Sequence, residues 1–335
     1  MNCPHCQTDL KYKERSGCKC SNCFKEFAFD PKTHQLLLSD KLFSKITSKL
    51  GDNNKLHFTR QQLQFAVSRK KIKTSVSALF MIIPAVITTF VAAFLFVSAA
   101  PFVAVAWVIL IVAAFIYSKN RVLMPQTIDE FNLSVLARWR SVYGKLPPNL
   151  IDKKSLLSPL TNNLKGILIC ETVDSAVCLQ ANHVAENLKL AIFGEWSANE
   201  KNRVINLVNT YDDLPVYILH DASVEGLQFS QQIKRELINQ AKVKDIGLRP
   251  QMIMKSKFMQ FRHTGTKAES VDDIDNLTTE ERDWLKKGFH TPLFVMSPKQ
   301  LIAYVSAKTK NNFVEPETVS KQKAEAVGFM TWLNE

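Results

Sequence analysis

One stretch limits what this chain can fold into more than any other. Residues 74–118 form a run of 45 positions with no Asp, Glu, Lys, Arg or His. A spanning helix needs about 20 apolar residues, so the run is too long for one span and fits two. Ser98, Ala99, Ala100 and Pro101 mark a turn. Proline is tolerated in the first turn of a helix, where its missing N–H has no partner to lose. The run therefore predicts a two-helix transmembrane hairpin over 76–97 and 101–117; a buried helical pair in a core is the alternative. Arg69, Lys70, Lys71 and Lys73 precede it, and Lys119 and Arg121 follow. Basic residues near span ends stay on the cytoplasmic side. The expectation is a multi-pass protein of the cytoplasmic (inner) membrane with both termini cytoplasmic. The hairpin carries no ionisable group, so it reads as an anchor and not as a proton or ion path.

The remainder divides around that run. A head of about 75 residues is too small to fold without help, while a tail of about 215 can bury an ordinary core. The formal net charge is +12, and residues 1–75 hold 15 Lys and Arg against 6 Asp and Glu. Such a head can face anionic lipid or nucleic acid, or serve only as a topology signal. Five of the seven cysteines fall within the first 23 residues. In a cytoplasmic setting that favours metal over disulfides, and the polar start shows no cleavable signal peptide.

Cys3-Pro-His-Cys6 and Cys20-Ser-Asn-Cys23 are two CxxC pairs. Their four thiolates suit one tetrahedral Zn²⁺, with Cys18 able to replace Cys20 and His5 reading as a surface residue. Residues 1–30 resemble the zinc-ribbon family, which implies Cys3, Cys6, Cys20 and Cys23 as the ligands of a structural zinc. Binding would supply the folding energy so small a unit lacks. Interleaved basic and aromatic residues, among them Lys11, Tyr12, Phe24, Lys25, Phe27 and Phe29, suit either a small aromatic core or a nucleic-acid grip. Lys25–Phe29 and Gln35–Ser39 flank Asp30-Pro31-Lys32 and predict a hairpin. Helices are expected over 40–50, behind a Ser39/Asp40 cap signal, and over 59–73.

After 74–118, a helix is expected over 127–143, broken by Gly144. Apolar runs at 167–170, 188–193 and 214–220 then alternate with helical stretches at 175–182, 199–209 and 227–241. Apolar strands alternating with helices mean a parallel sheet covered on both faces, with ligands at the carboxyl ends of its strands. Glu171 and Asp221 fall at two such ends. Both also suit the capping of the helices that follow them. Further on, 293–296 reads as a strand, and 298–308 and 320–333 as helices. Cys170 and Cys178 read as reduced core residues. His220 reads as a core or surface residue beside Asp221.

Residues 165–241 resemble the Toprim domain, the catalytic core of bacterial primases, topoisomerases and related nucleases. Glu171 with Asp174, Gly194, and Asp221 with Gly226 stand at the matching places. The resemblance implies a Rossmann-like α/β fold and Mg²⁺ held by Glu171 and Asp221, with Glu225 as a further ligand. It also implies Glu171 as an acid/base group. The chain departs from the pattern at Thr172, where the family has Gly, and at Ser223, where it has the second Asp of D-x-D. The organisation expected is a zinc ribbon (1–30), a basic helical linker (31–73), the hairpin (74–118), a helical connector (119–160) and an α/β domain (161–335). The function expected is a membrane-anchored binding or assembly protein with nucleic acid or protein as partner. The alternatives are a tethered Mg²⁺-dependent nucleic-acid phosphoryl-transfer enzyme, and an accessory subunit of a membrane complex.

Overall fold

A computed structural model describes residues 3, 5–72, 107, 121–122, 124, 126–152, 162–211, 213–237, 241–255, 260–262 and 269–310. Its centre is a four-stranded parallel sheet of order β3-β2-β4-β5, with β2 at Gly166–Cys170, β3 at Leu190–Gly194, β4 at Val216–Leu219 and β5 at Val243–Asp245. The first three strands fall where the apolar runs predict them. Side chains alternate across the sheet: Leu168, Cys170, Tyr217 and Leu219 enter one core, and Ile167, Ile169, Val216 and Ile218 the other. Both faces are buried, which is why these strands read as unbroken apolar runs.

Each of these three strands leads into a helix with a local start signal. Thr172 accepts from Ser175 N at the head of Val173–Ala181, and Ser197 from Glu200 N at the head of Ala198–Thr210. Ser223 Oγ accepts from Gly226 N (2.9 Å) at the head of Val224–Leu237. The order reverses at β2: the chain moves outward to β3, then crosses to β4 on the other side. In open α/β sheets such a switch point is the usual place of a ligand.

In the amino-terminal part, α1 (Asp40–Leu50) starts behind Ser39, whose Oγ accepts from Leu42 N, as the cap signal predicts. The second helix, α2 (Arg60–Ile72), packs along α1 and into the body of the chain. Residues 128–143 form one helix, α3, that begins as Ile128–Phe131, widens into a π turn over Asn132–Ala137 and ends as Arg138–Tyr143 at Gly144 (φ 73°). Phe29, Phe43, Leu63, Phe131 and Trp139 share one core between these helices.

The hairpin expected around Asp30-Pro31-Lys32 forms turns and no strands. The cause is Asp40. Its buried carboxylate takes Ala28 N (2.9 Å), Phe29 N (2.8 Å) and Tyr143 Oη (2.5 Å). Backbone donors that a hairpin would pair across its strands are thus already engaged.

The amino-terminal part is bound directly to the α/β unit. Phe58 bridges in parallel to Leu150, and Gln62 Nε2 donates to Met296 O across a buried contact (3.0 Å). His57 N donates to Asn182 Oδ1 (2.8 Å), while Asn182 Nδ2 donates back to His57 O (2.9 Å). A second small sheet, of β1 (Arg121–Val122), β6 (Gln260–Arg262) and β7 (Phe289–His290), lies alongside and meets α2 through Phe65 and Phe261. Leu293–Val295 is a 3₁₀ turn and not the expected strand, because Leu293 N is drawn to Asp221.

The fold is corrected in one major respect. Among the described residues no helix is long and apolar enough to cross a membrane. The longest continuous one, 128–143, rises about 24 Å at about 1.5 Å per residue, short of a hydrocarbon core of about 30 Å, and it carries Asp129, Glu130, Arg138 and Arg140. This finding overturns the transmembrane hairpin as part of the fold, and with it the multi-pass inner-membrane location. Residues 74–118, Trp107 apart, lie outside the described residues, as does the helix expected over 320–333.

Candidate metal centre and carboxylate pair

Two CxxC turns bring Cys3, Cys6, Cys20 and Cys23 together, with all four Sγ atoms within 4.8 Å of one another. Cys3 and Cys23 are 3.8 Å apart, and Cys6 and Cys20 3.7 Å. Backbone N–H groups point at the sulfurs: His5 N at Cys3 Sγ (3.4 Å), and Asn22 N and Cys23 N at Cys20 Sγ (3.4 Å each). Such donors stabilise thiolates, and the quartet could hold one metal ion.

Of Cys18 and Cys20, the one whose sulfur lies in the cluster is Cys20. Cys18 lies outside the quartet; it takes a positive φ of 57° and its carbonyl accepts from Phe27 N (2.7 Å). His5 is not a ligand either; its ring stacks on Tyr143, with centroids 5.5 Å apart, and Nε2 faces Glu26 O at 3.1 Å. Phe27 and Phe29 are buried as an aromatic core requires, while Phe24, at the tip of the second knuckle, is 76% exposed.

The α/β unit carries a second cluster. Glu171 follows β2 and Asp221 follows β4, neighbouring strands on either side of the switch point. Glu171 Oε2 accepts from Asp221 N (2.8 Å), and Asp221 Oδ1 accepts from Leu293 N (2.7 Å). Neither acid caps a helix: Thr172 and Ser223 perform that role. Among the described residues, no protein donor reaches Glu171 Oε1 or Asp221 Oδ2.

Burial pushes the Glu171 carboxyl up, against the lowering effect of the Asp221 N–H. Burial, and next the nearby Glu171 carboxylate, push Asp221 up to about 7. Burial thus raises both acids, and the negative charge of Glu171 raises Asp221 further. Glu225 is exposed and adds to that charge, but it does not complete a set of three ligand atoms within reach of one another. Gly226 makes the close approach possible: a Cβ there would lie 2.4 Å from Asp221 O and 2.9 Å from Glu171 Oε2. A cation such as Mg²⁺ fits this donor set, since it binds through one or two carboxylates and keeps several waters.

Beside the pair lies a network that the sequence did not single out. His220 is fully buried, with Nδ1 at 2.7 Å from Asp221 O and Nε2 at 2.9 Å from Asp245 Oδ1. Asp245 ends β5, and its Oδ2 accepts from Ser230 Oγ (2.7 Å), Lys234 Nζ (2.8 Å) and Arg249 Nη2 (3.2 Å). Burial alone would raise Asp245; His220 and Lys234 overcome it and hold the carboxyl well below the usual carboxylate range. The signal was an acid ending a short run at the place where a fourth strand of the alternation falls. Cys170 and Cys178 are buried and free, and burial pushes the Cys178 thiol up to about 12, as expected of inert core residues.

Comparison of the chain with protein-family models, with curated proteins and with solved structures returns no match. The zinc-ribbon and Toprim resemblances therefore rest on the residues themselves. Four clustered cysteines and a parallel α/β sheet are what the structure adds to them.

Proposed function

We propose that this chain is a Mg²⁺-dependent protein of nucleic-acid phosphoryl transfer, with a zinc-folded four-cysteine module docked beside a Toprim-like α/β domain. The observation that carries this reading is the Glu171–Asp221 pair. The two acids share a hydrogen bond at the carboxyl edge of the sheet, and each keeps one oxygen free of protein donors among the described residues. Mg²⁺ held there would neutralise charge on a phosphodiester. Glu171, raised by burial, suits the acid/base role the Toprim resemblance gives it. Leu293 N, bonded to Oδ1, keeps the Asp221 side chain in place, and the Glu171 carboxylate holds its backbone N–H.

Ser223 favours a second reading. It stands where a further acid would hold another cation, and its Oγ is committed to Gly226 N. A single weakly held cation fits binding of nucleic acid without cleavage. The test incubates the full chain with single- and double-stranded DNA and RNA in Mg²⁺ or Mn²⁺. Cleavage that disappears in Glu171→Gln and Asp221→Asn supports phosphoryl transfer. Cation-dependent retention without cleavage supports the second reading, and neither outcome in wild type removes both.

The ion of the four-cysteine site is proposed to be Zn²⁺, from four thiolates at tetrahedral spacing and no open position. Metal analysis of the purified chain should find one zinc per chain; iron in its place would reject this.

A further inference from the structure

Residue 221 is held at more points than a strand end requires. Its N–H goes to Glu171 Oε2 and its Oδ1 takes Leu293 N. Its carbonyl is turned inward to His220 Nδ1 at 2.7 Å, against the backbone of Gly226. Only Oδ2 is left over. The direction of that oxygen thus depends on the peptide plane that His220 grips.

His220 is itself fixed. Asp245 Oδ1 meets its Nε2 and also takes Gly247 N (3.0 Å). With Ser230, Lys234 and Arg249 on Oδ2, five donors surround one carboxylate. Gly247 lies flat against the imidazole, where a Cβ would come within 2.2 Å of Cδ2. The ring has no other place to go.

We infer that His220 and Asp245 are positioning residues: they set the orientation of Asp221 for a divalent cation without touching it. The inference rests on the cation reading above. Partners of this kind around ligating side chains typically change metal affinity about 10- to 100-fold when lost. A purely structural network would change stability and leave the affinity of the folded protein alone.

The test measures Mn²⁺ binding by the full chain with its four-cysteine site filled, using the loss of the free-ion electron paramagnetic resonance signal, with melting temperature followed in parallel. His220→Ala and Asp245→Ala should each weaken Mn²⁺ binding by about tenfold or more. His220→Asn, whose amide can still donate to Asp221 O, should recover most of that loss. Lowered melting temperatures with wild-type Mn²⁺ affinity overturn the inference and leave the cation site standing. A wild-type chain that takes up no Mn²⁺ overturns both. Should His220→Ala not fold, Ser230→Ala and Lys234→Met carry the test. About two- to fivefold weakening is then expected, and unchanged affinity in both overturns the inference.

Discussion

Thr172 and Ser223 depart from the Toprim pattern, and the structure gives both the same duty. Each caps the helix behind it, so the nearby strand-end acid is spared. Ser223→Ala should cost about 1 kcal/mol, the usual effect of a lost cap, read as a lower midpoint in urea. The acids themselves are stressed without a cation. Asp221 is raised to about 7 from an unfolded value near 3.8, so the folded state binds the extra proton between those values. Stability from this group is therefore fully present at low pH and lost as pH rises from about 4 to about 7. Without Mg²⁺, the chain with its four-cysteine site filled should melt about 2–4 °C lower at pH 8 than at pH 5.5 on this account. Asp221→Asn should flatten that difference. A wild-type profile that does not fall, or one that Asp221→Asn leaves unchanged, would count against a carboxyl raised by burial and by Glu171. Gly226→Ala should cost about 1–3 kcal/mol by overpacking, since backbone at 2.4 Å cannot yield as a side-chain tip would.

At the scale of elements, legibility followed length and periodicity. Strands β2, β3 and β4 were visible because both faces are buried and the runs are apolar. Strand β5 was not, because its three residues, Val-Lys-Asp, carry two charges. The second sheet is built from strands of two or three residues, too short for any period to show. The cysteine knuckles were legible from spacing alone; the choice of Cys20 over Cys18 needed the positions of the sulfurs. Cys20→Ser should therefore release the metal, while Cys18→Ser should keep one metal per chain, as elemental analysis would record. Asp40 was read only as part of a cap signal, yet it joins the stretch of chain leaving the four-cysteine module to α3. Asp40→Ala leaves two buried N–H groups and a tyrosine hydroxyl without their acceptor. A loss of about 2–4 kcal/mol in urea unfolding is expected.

The whole molecule differs most from what the sequence suggested. A long uncharged run drew the expectation toward two parts tied to a membrane point. The described residues instead form a body in which α2 and α3 share a core, and α2 reaches Met296 in the α/β unit. No helix among them is long and apolar enough to cross a membrane. What the alternation of strands and helices did convey was the edge where chemistry would lie, since parallel strands with covered faces leave their carboxyl ends as the open side. The central claim is that Glu171 and Asp221 form one cation site there. Titrating the full chain, with its four-cysteine site filled, with Mn²⁺ by calorimetry tests it most directly. One Mn²⁺ per chain should bind in wild type, with binding abolished in Asp221→Asn and Glu171→Gln. No uptake by wild type, or equal uptake by these variants, would contradict it.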